Sequence, residues 1–242
     1  MKVTNTKEAL KKKIQNLNPS LRTWEIWESL MSIFSCTLAN TLETNDTIRA
    51  KREEEYKRAL EKIGNTQAVA ETYALLMQAV EENPCTDILG ELYMSLRLGD
   101  HWKGQYFTPQ SIADMMAIMT MSDKQDVMST LEEKGCIEVA DPACGAGVML
   151  LAGAKRLKEM GINYQAKALF VGQDIDRIAA QMCFVQLSLN GCAGYVCVAN
   201  TLTNPVVVDE NGTLLIQPGQ EFWFTPSYRI YELSTEEGKM TA

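Results

Sequence analysis

A single histidine, His101, stands in the 242 residues, which excludes a histidine-rich metal site, and no bound metal is expected. It lies between Gly99 and Gly104 with no cysteine or acid at ligand or triad spacing, and reads as a plain loop residue. The seven cysteines are odd in number, show no CxxC spacing and sit mostly inside apolar runs. They read as reduced core residues and not as a disulfide framework. No uninterrupted apolar run reaches the ~20 residues that a membrane helix needs. The opening Met-Lys-Val-Thr-Asn-Thr-Lys lacks the apolar core of a secretion signal, so the expected compartment is the cytoplasm, with no membrane contact. Positive charge is also scarce: 23 lysines and arginines face 31 acids, a net charge of −8. The basic residues are dispersed, with the densest group at Lys11 to Lys13. Attraction of the isolated chain to nucleic-acid phosphate is therefore expected to be weak, and DNA contact to need another subunit or a local patch.

What is present is an ordinary globular composition, 46% hydrophobic and 22% charged, long enough for one large domain or two small ones. From Thr6 to about Arg97 the pattern is helical. Thr6 is placed to cap a first helix, and Pro19-Ser20 breaks the chain before a second. In that second helix Trp24, Trp27, Leu30, Met31, Phe34 and Leu38 recur at helical spacing, which means core packing. Stacking of the tryptophans on nucleobases is the competing reading, and it lacks basic neighbours. The charge run Lys51 to Glu61 reads as a solvated helix face. Gly64-Asn65 closes that helix, Thr66 is placed to cap the next, and Asn83-Pro84 ends it. Asp87 then opens a helix with Ile88, Leu89, Leu92 and Leu96 on one face.

The chain is organised around Cys136 to Leu150. An apolar run (Ile137, Val139, Ala140) meets Asp141, Pro142 and two glycines, then turns amphipathic through Val148, Leu150 and Leu151. That order predicts a buried strand, a tight loop and a helix. Gly145 and Gly147 allow a sharp turn and leave no Cβ in the way of a ligand. The helix start directs free N–H groups and a positive dipole end toward it. Asp141 ends the strand at the edge where open α/β sheets bind ligands. A glycine pair alone is also compatible with an ordinary strand-to-helix turn.

Two flanking segments add weight. Upstream, Gly-Gln-Tyr-Phe-Thr-Pro (Gly104 to Pro109) predicts a helix start at Pro109 with Thr108 as N-cap. Downstream, Ala168 to Gly172 predicts a second strand, followed by Gln173-Asp174-Ile175-Asp176. A carboxylate just past that strand suits ribose hydroxyls, and Asp176 is placed to cap the helix that follows. Tyr195 to Ala199 predicts a third strand, ending in Asn200-Thr201-Leu202.

Together these segments, from Asp87 to Leu202, resemble the N-6 DNA methylase family, the modification subunits of type I restriction systems and their relatives. The resemblance implies S-adenosylmethionine as cofactor. It implies cofactor contacts from Tyr106, Phe107, Thr108 and Pro109, with Gln105 less secure. In the central loop it points to Asp141, Ala143, Cys144, Gly145 and Gly147. Beyond the second strand it points to Asp174 and Ile175. Asn200 stands where members commonly carry an acid near the adenine.

The family's Asn-Pro-Pro-aromatic motif, which holds a flipped adenine, is not found. Asn204-Pro205 is the sole Asn-Pro beyond the cofactor region, and it is followed by Val206, so Asn204 is the only candidate catalytic residue. Val206 to Ile216, with Asn211-Gly212 between two apolar runs, predicts a β-hairpin. Phe222 to Tyr228 adds an aromatic patch. The expected fold is α/β: a helical amino-terminal domain over residues 1–100, then an abbreviated Rossmann-like methyltransferase domain over 101–242 with a carboxyl-terminal hairpin. Three strands leave an open sheet edge, covered by the hairpin and aromatic patch, by a protein partner or by self-association. The expected function is that of a DNA adenine methyltransferase, or a partner-dependent subunit of one, in a restriction-modification or phage setting. The alternative is a catalytically inactive cofactor-binding regulatory protein.

Overall fold

The computed structural model describes residues 6–99, 106–210 and 213–230. His101, Gln105 and the Asn211-Gly212 turn lie outside the described residues. Five helices come first: α1 (Thr6–Gln15), α2 (Thr23–Asn40), α3 (Asp46–Ile63), α4 (Thr66–Glu82) and α5 (Ile88–Ser95). Next are α6 (Gln110–Thr120), α7 (Lys124–Lys134), β1 (Ile137–Asp141), α8 (Val148–Glu159) and α9 (Tyr164–Lys167). The chain continues through β2 (Ala168–Asp174), α10 (Arg177–Leu189) and β3 (Gly194–Val198). It finishes with β4 (Val207–Val208), β5 (Leu214–Leu215) and β6 (Glu221–Phe224).

Most boundaries follow the sequence signals, with three corrections. Thr6 lies inside α1 and does not cap it; its hydroxyl donates to Glu82 Oε1 at 2.8 Å. Helix α4 is capped by Asn65, whose side chain accepts from the Ala68 N–H, and not by Thr66. Helix α6 is preceded by Pro109 at the N-cap position without a side-chain bond, so Thr108 does not cap it. Asp87 does cap α5, accepting from the Gly90 N–H, and Asp176 caps α10 through Ile178 and Ala179. Trp27 is buried as its spacing requires, whereas Trp24 is 48% exposed with the Lys62 ammonium over its ring.

The main sheet runs in the order β1-β2-β3-β6. β1, β2 and β3 are parallel, and β6 joins β3 antiparallel. Helix α8 lies against β1 and β2, α10 against β2 and β3, and α2 against α10. Parallel strands joined by helical crossovers place those helices on one face of the sheet. One continuous core joins Leu10, Trp27 and Leu30 of the amino-terminal helices to Phe170, Phe184 and Trp223. The other face is covered by a smaller cluster around Val171, Tyr195, Cys197 and Phe222, against which Leu214 and Tyr228 pack. The hairpin β4–β5 forms a separate two-stranded sheet. No helix among the described residues is long and apolar enough to cross a membrane.

The aromatic patch therefore covers one edge of the sheet from within the chain. Trp223 of β6 is buried, with the Arg52 guanidinium 4.9 Å from its ring centre and that of Arg177 5.4 Å away. Arg177 pairs with Glu55 at 2.9 Å and Glu221 at 2.8 Å, and Arg52 pairs with the buried Glu43 at 2.8 Å. The Lys51–Glu61 charge run is thus only in part a solvated face: Arg52 and Glu55 turn inward to hold β6. The other edge, β1, pairs only with β2 among the described residues.

Candidate cofactor site

The loop after β1 is built by short hydrogen bonds between consecutive parts of the sheet's carboxyl edge. Asp141 Oδ1 accepts from the Ala143 N–H at 3.0 Å. The Cys144 N–H donates to the Gln173 carbonyl at 2.9 Å, and the Gly147 N–H to the Cys144 carbonyl at 2.8 Å. Asp174 closes the loop: its Oδ2 accepts from the Gly145 N–H at 2.8 Å and its Oδ1 from the Asp176 N–H at 2.8 Å. A carboxylate offers about four acceptor positions, so two such bonds leave lone pairs for hydroxyl donors.

Both glycines are required by close approach as well as by conformation. Gly145 has φ +52, and a Cβ there would meet the Phe107 ring at 3.1 Å. Gly147 has φ +97, and its Cβ would lie 2.8 Å from Cys183 Sγ. The sequence argument placed a ligand against these positions; the structure places Phe107 and Cys183 there. Phe107 in turn packs on Tyr93, ring centres 5.2 Å apart, which joins α5 to the loop. Gly147 is the N-cap of α8 and offers no side-chain cap to that helix, which leaves its first-turn N–H groups suited to an anionic group.

Of the sequence-predicted residues, Phe107, Asp141, Ala143, Cys144, Gly145, Gly147 and Asp174 meet in this one network. Tyr106 (77% exposed) and Ile175 (70% exposed) present uncovered apolar surface, and Thr108 and Pro109 are exposed where the chain enters α6. Asn200 sits just past β3, where its Oδ1 accepts from the Leu202 N–H at 2.9 Å. The neighbouring Thr201 hydroxyl donates to the Pro142 carbonyl at 2.5 Å, tying the third strand's end to the loop.

Asn204 is held differently. Its Nδ2 donates to the Pro218 carbonyl at 3.1 Å, and its Oδ1 is buried without a partner. Its main-chain carbonyl accepts from Gln173 at 2.9 Å and Gln220 at 3.3 Å. The side-chain acceptor is thus turned inward, and one of the two amide N–H groups is engaged.

Two buried glutamines escaped the sequence reading. Gln173 clasps the Asn204–Val206 backbone, donating to Asn204 and accepting from the Val206 N–H at 3.0 Å. Gln186 of α10 donates to the Ala146 carbonyl and to Asp87 Oδ1, both at 2.8 Å, and accepts from the Leu89 N–H at 3.0 Å. It therefore couples the loop to the start of α5. The available signal was an amide inside an apolar run, Phe-Val-Gln-Leu, where a buried polar group must find partners.

Charge at the loop is distinctly negative. Burial raises the Asp141 carboxyl above its ordinary value of 3.8; the Ala143 N–H opposes this, and the nearby Asp174 adds to it. Burial also raises Asp87. No cluster of metal-ligating side chains occurs among the described residues.

The sequence model of the N-6 DNA methylase family matches residues 86–216. The chain belongs to the N-6 DNA methylase family. The methylase subunit of the type I restriction enzyme MjaVII, from Methanocaldococcus jannaschii, is 26% identical over 124 residues, 50% of this chain. That match spans only 20% of the M. jannaschii subunit. Among solved structures, a Listeria monocytogenes protein assigned to the class I S-adenosylmethionine-dependent methyltransferases aligns over 96% of this chain and 69% of its own. Its TM-score is 0.39 at 14% identity, too slight a likeness to match site residues. S-adenosylmethionine is the family's cofactor, and the loop fits it: two carboxylates suit a cationic sulfonium and ammonium, and an uncapped helix start suits its carboxylate.

Proposed function

We propose that this chain holds S-adenosylmethionine for adenine methylation of DNA in a restriction-modification system, and needs a protein partner to carry out the transfer. The observation that carries the reading is the glycine loop held by two neighbouring carboxylates, Asp174 on the Gly145 N–H and Asp141 on the Ala143 N–H, a pair that a bound cation would suit. Asp174 would hold the ribose hydroxyls with its remaining lone pairs. Asp141, Ala143, Cys144 and Gly147 would frame the methionine end. Tyr106, Phe107, Thr108 and Pro109 would flank it, and Ile175 and Asn200 would meet the adenine. Residues 1–100 would serve as a scaffold that fixes this half, 101–242, through Asp87 and Gln186. The cytoplasm suits such a role.

The cofactor supplies the methyl group; the protein must hold the adenine amine in line with it. No Asn-Pro-Pro-aromatic segment does so in this chain, and Asn204 spends its amide on Pro218. Purified alone, the chain is expected to transfer no labelled methyl group to adenine-containing DNA. Transfer by the wild-type chain that Asn204→Ala abolishes, with cofactor binding intact, would make Asn204 catalytic and defeat the partner requirement. A second reading, a cofactor-binding regulator without catalysis, is favoured by the same inward-turned Asn204. A partner that restores transfer would eliminate it.

A further inference from the structure

The fold gathers cations around the amino-terminal tryptophans. The start of α2, the end of α5, the first turns of α10 and Phe107 enclose a cavity of about 1020 Å³. That is at the upper end of the ~300–1,000 Å³ usual for small-ligand sites. Trp24, Trp27, Tyr93 and Phe107 line it. Trp24 is half exposed there and not packed in the core. The Trp27 and Tyr93 rings meet edge-on at 5.9 Å, and those of Tyr93 and Phe107 are tilted by 57°, so neither pair stacks face to face.

Two guanidinium groups belong to the same walls, Arg22 just before α2 and Arg97 just after α5. Both residues are exposed, and neither side chain has an ion pair or a hydrogen bond among the described residues. The Lys62 ammonium adds a third cation, 5.8 Å from the Trp24 ring centre. The two acids on the walls are already engaged: Glu28 lies 3.8 Å from Lys62, and Asp176 caps α10.

Two kinds of donor stand there without an acceptor. No side chain caps α2, so the N–H groups of its first residues, Thr23 and Trp24, suit an anion. The Trp27 indole is 1% exposed, and its buried Nε1–H has no partner. A buried donor is ordinarily paired, so this one calls for an acceptor that the chain does not supply.

We infer that this cavity is a nucleotide site, with the phosphate at the start of α2 beside Arg22 and Arg97 and the base among Trp24, Trp27 and Tyr93. Aromatic faces stack on any base, and arginine adds charge to the phosphate. A purely apolar ligand would leave both guanidinium groups and the Trp27 N–H unused, and an anion without a ring would leave the aromatic wall unused. The site does not rest on the cofactor reading: it borders the glycine loop at Phe107 but uses neither Asp141 nor Asp174. The nucleoside phosphate reaches it either free or as one unit of a DNA strand.

The test is calorimetry on the full chain with deoxyadenosine monophosphate, with and without millimolar S-adenosylmethionine. One-to-one binding is expected, and S-adenosylmethionine should not displace it. Arg97→Ala and Arg22→Ala should each weaken it about tenfold, the scale of one hydrogen bond to a charged group. Trp24→Ala should weaken it too, and Asp174→Ala should leave it unchanged. Tighter binding of single-stranded oligodeoxyadenylate than of the mononucleotide assigns the site to DNA; equal or weaker binding assigns it to the free nucleotide. No heat from either probe, displacement by S-adenosylmethionine, unchanged affinity in Arg97→Ala, or inorganic phosphate binding as tightly as the nucleotide would overturn the inference. Titration of S-adenosylmethionine into the same sample separates the two readings. Heat with S-adenosylmethionine alone refutes the nucleotide site, and heat with the nucleotide alone refutes the cofactor site.

Discussion

The two edges of the main sheet solve the same problem in opposite ways. At β3, the chain supplies its own cover: β6 pairs along the edge, Trp223 is buried between two guanidinium groups, and Glu43, Glu55 and Glu221 neutralise them. At β1, only β2 pairs with the strand among the described residues, and α6, packed on α8, exposes methionines. An unpaired strand edge is a liability that proteins normally cover. The asymmetry teaches that β3 is closed by a strand of the chain itself, whereas β1, which leads into the cofactor loop, is paired on one side only among the described residues.

The contrast is broken most directly by mutating each edge. Trp223→Ala is expected to lower stability by about 3–5 kcal/mol, because it opens a core cavity and strips the buried Arg52 and the half-buried Arg177 of their ring. Glu138→Gln on the open edge is expected to stay within about 0.5 kcal/mol. Denaturant midpoints measure both, and equal effects would erase the distinction between the edges. Next in size is Gly147→Ala, which combines a left-handed backbone with a 2.8 Å approach to Cys183. A loss of about 1–3 kcal/mol is expected, part of which returns in the double variant with Cys183→Ala.

Effects on the ligand follow. Asp174→Ala should weaken S-adenosylmethionine by about 1.5–3 kcal/mol, the scale of hydrogen bonds to a charged group. It should also loosen the loop, because Gly145 loses its acceptor. Gly145→Val should abolish binding by displacing the Phe107 ring.

The two edges should also part with pH. Burial and Asp174 raise Asp141 above its ordinary 3.8, so its protonation begins at higher pH and cofactor affinity falls early on acidification. At β6, burial pushes Glu55 up but the Arg177 hydrogen bonds and charge outweigh it, leaving it below its ordinary 4.5. A carboxylate with a lowered native value stabilises above the unfolded value and loses that contribution only as pH falls through the lower one. Cofactor affinity should therefore decline while thermal stability at the β6 edge holds. Asp141→Asn should remove the pH step in affinity; a step of unchanged size in that variant would assign it elsewhere. The smallest effect is on DNA: in about 150 mM salt the isolated chain should show no nanomolar duplex binding, and a steep salt slope would contradict that.

The glycine loop, the three parallel strands and most helix ends were legible because each rests on local chemistry: apolar runs, Gly-Ala-Gly, Asp87 and Asp176 as caps. Less legible was anything set by distant contacts. The inward turn of Arg52 and Glu55 depends on Trp223, which lies about 170 positions away in the chain and carries no local mark in α3. Pairing of β6 with β3 skips the hairpin between them, so sequence order alone suggested an extra β-hairpin and not a fourth strand. At the site, the position of Asp174 at the end of the second strand was legible, but its latch on Gly145 was not. The roles of Gln173 and Gln186 were hidden because a buried amide takes its meaning from partners that only the fold brings near.

Titration of S-adenosylmethionine into the purified wild-type chain by calorimetry, near neutral pH, tests the cofactor site most directly. One-to-one binding is predicted, weakened in Asp174→Ala and lost in Gly145→Val. No heat and no thermal shift at millimolar cofactor would contradict it.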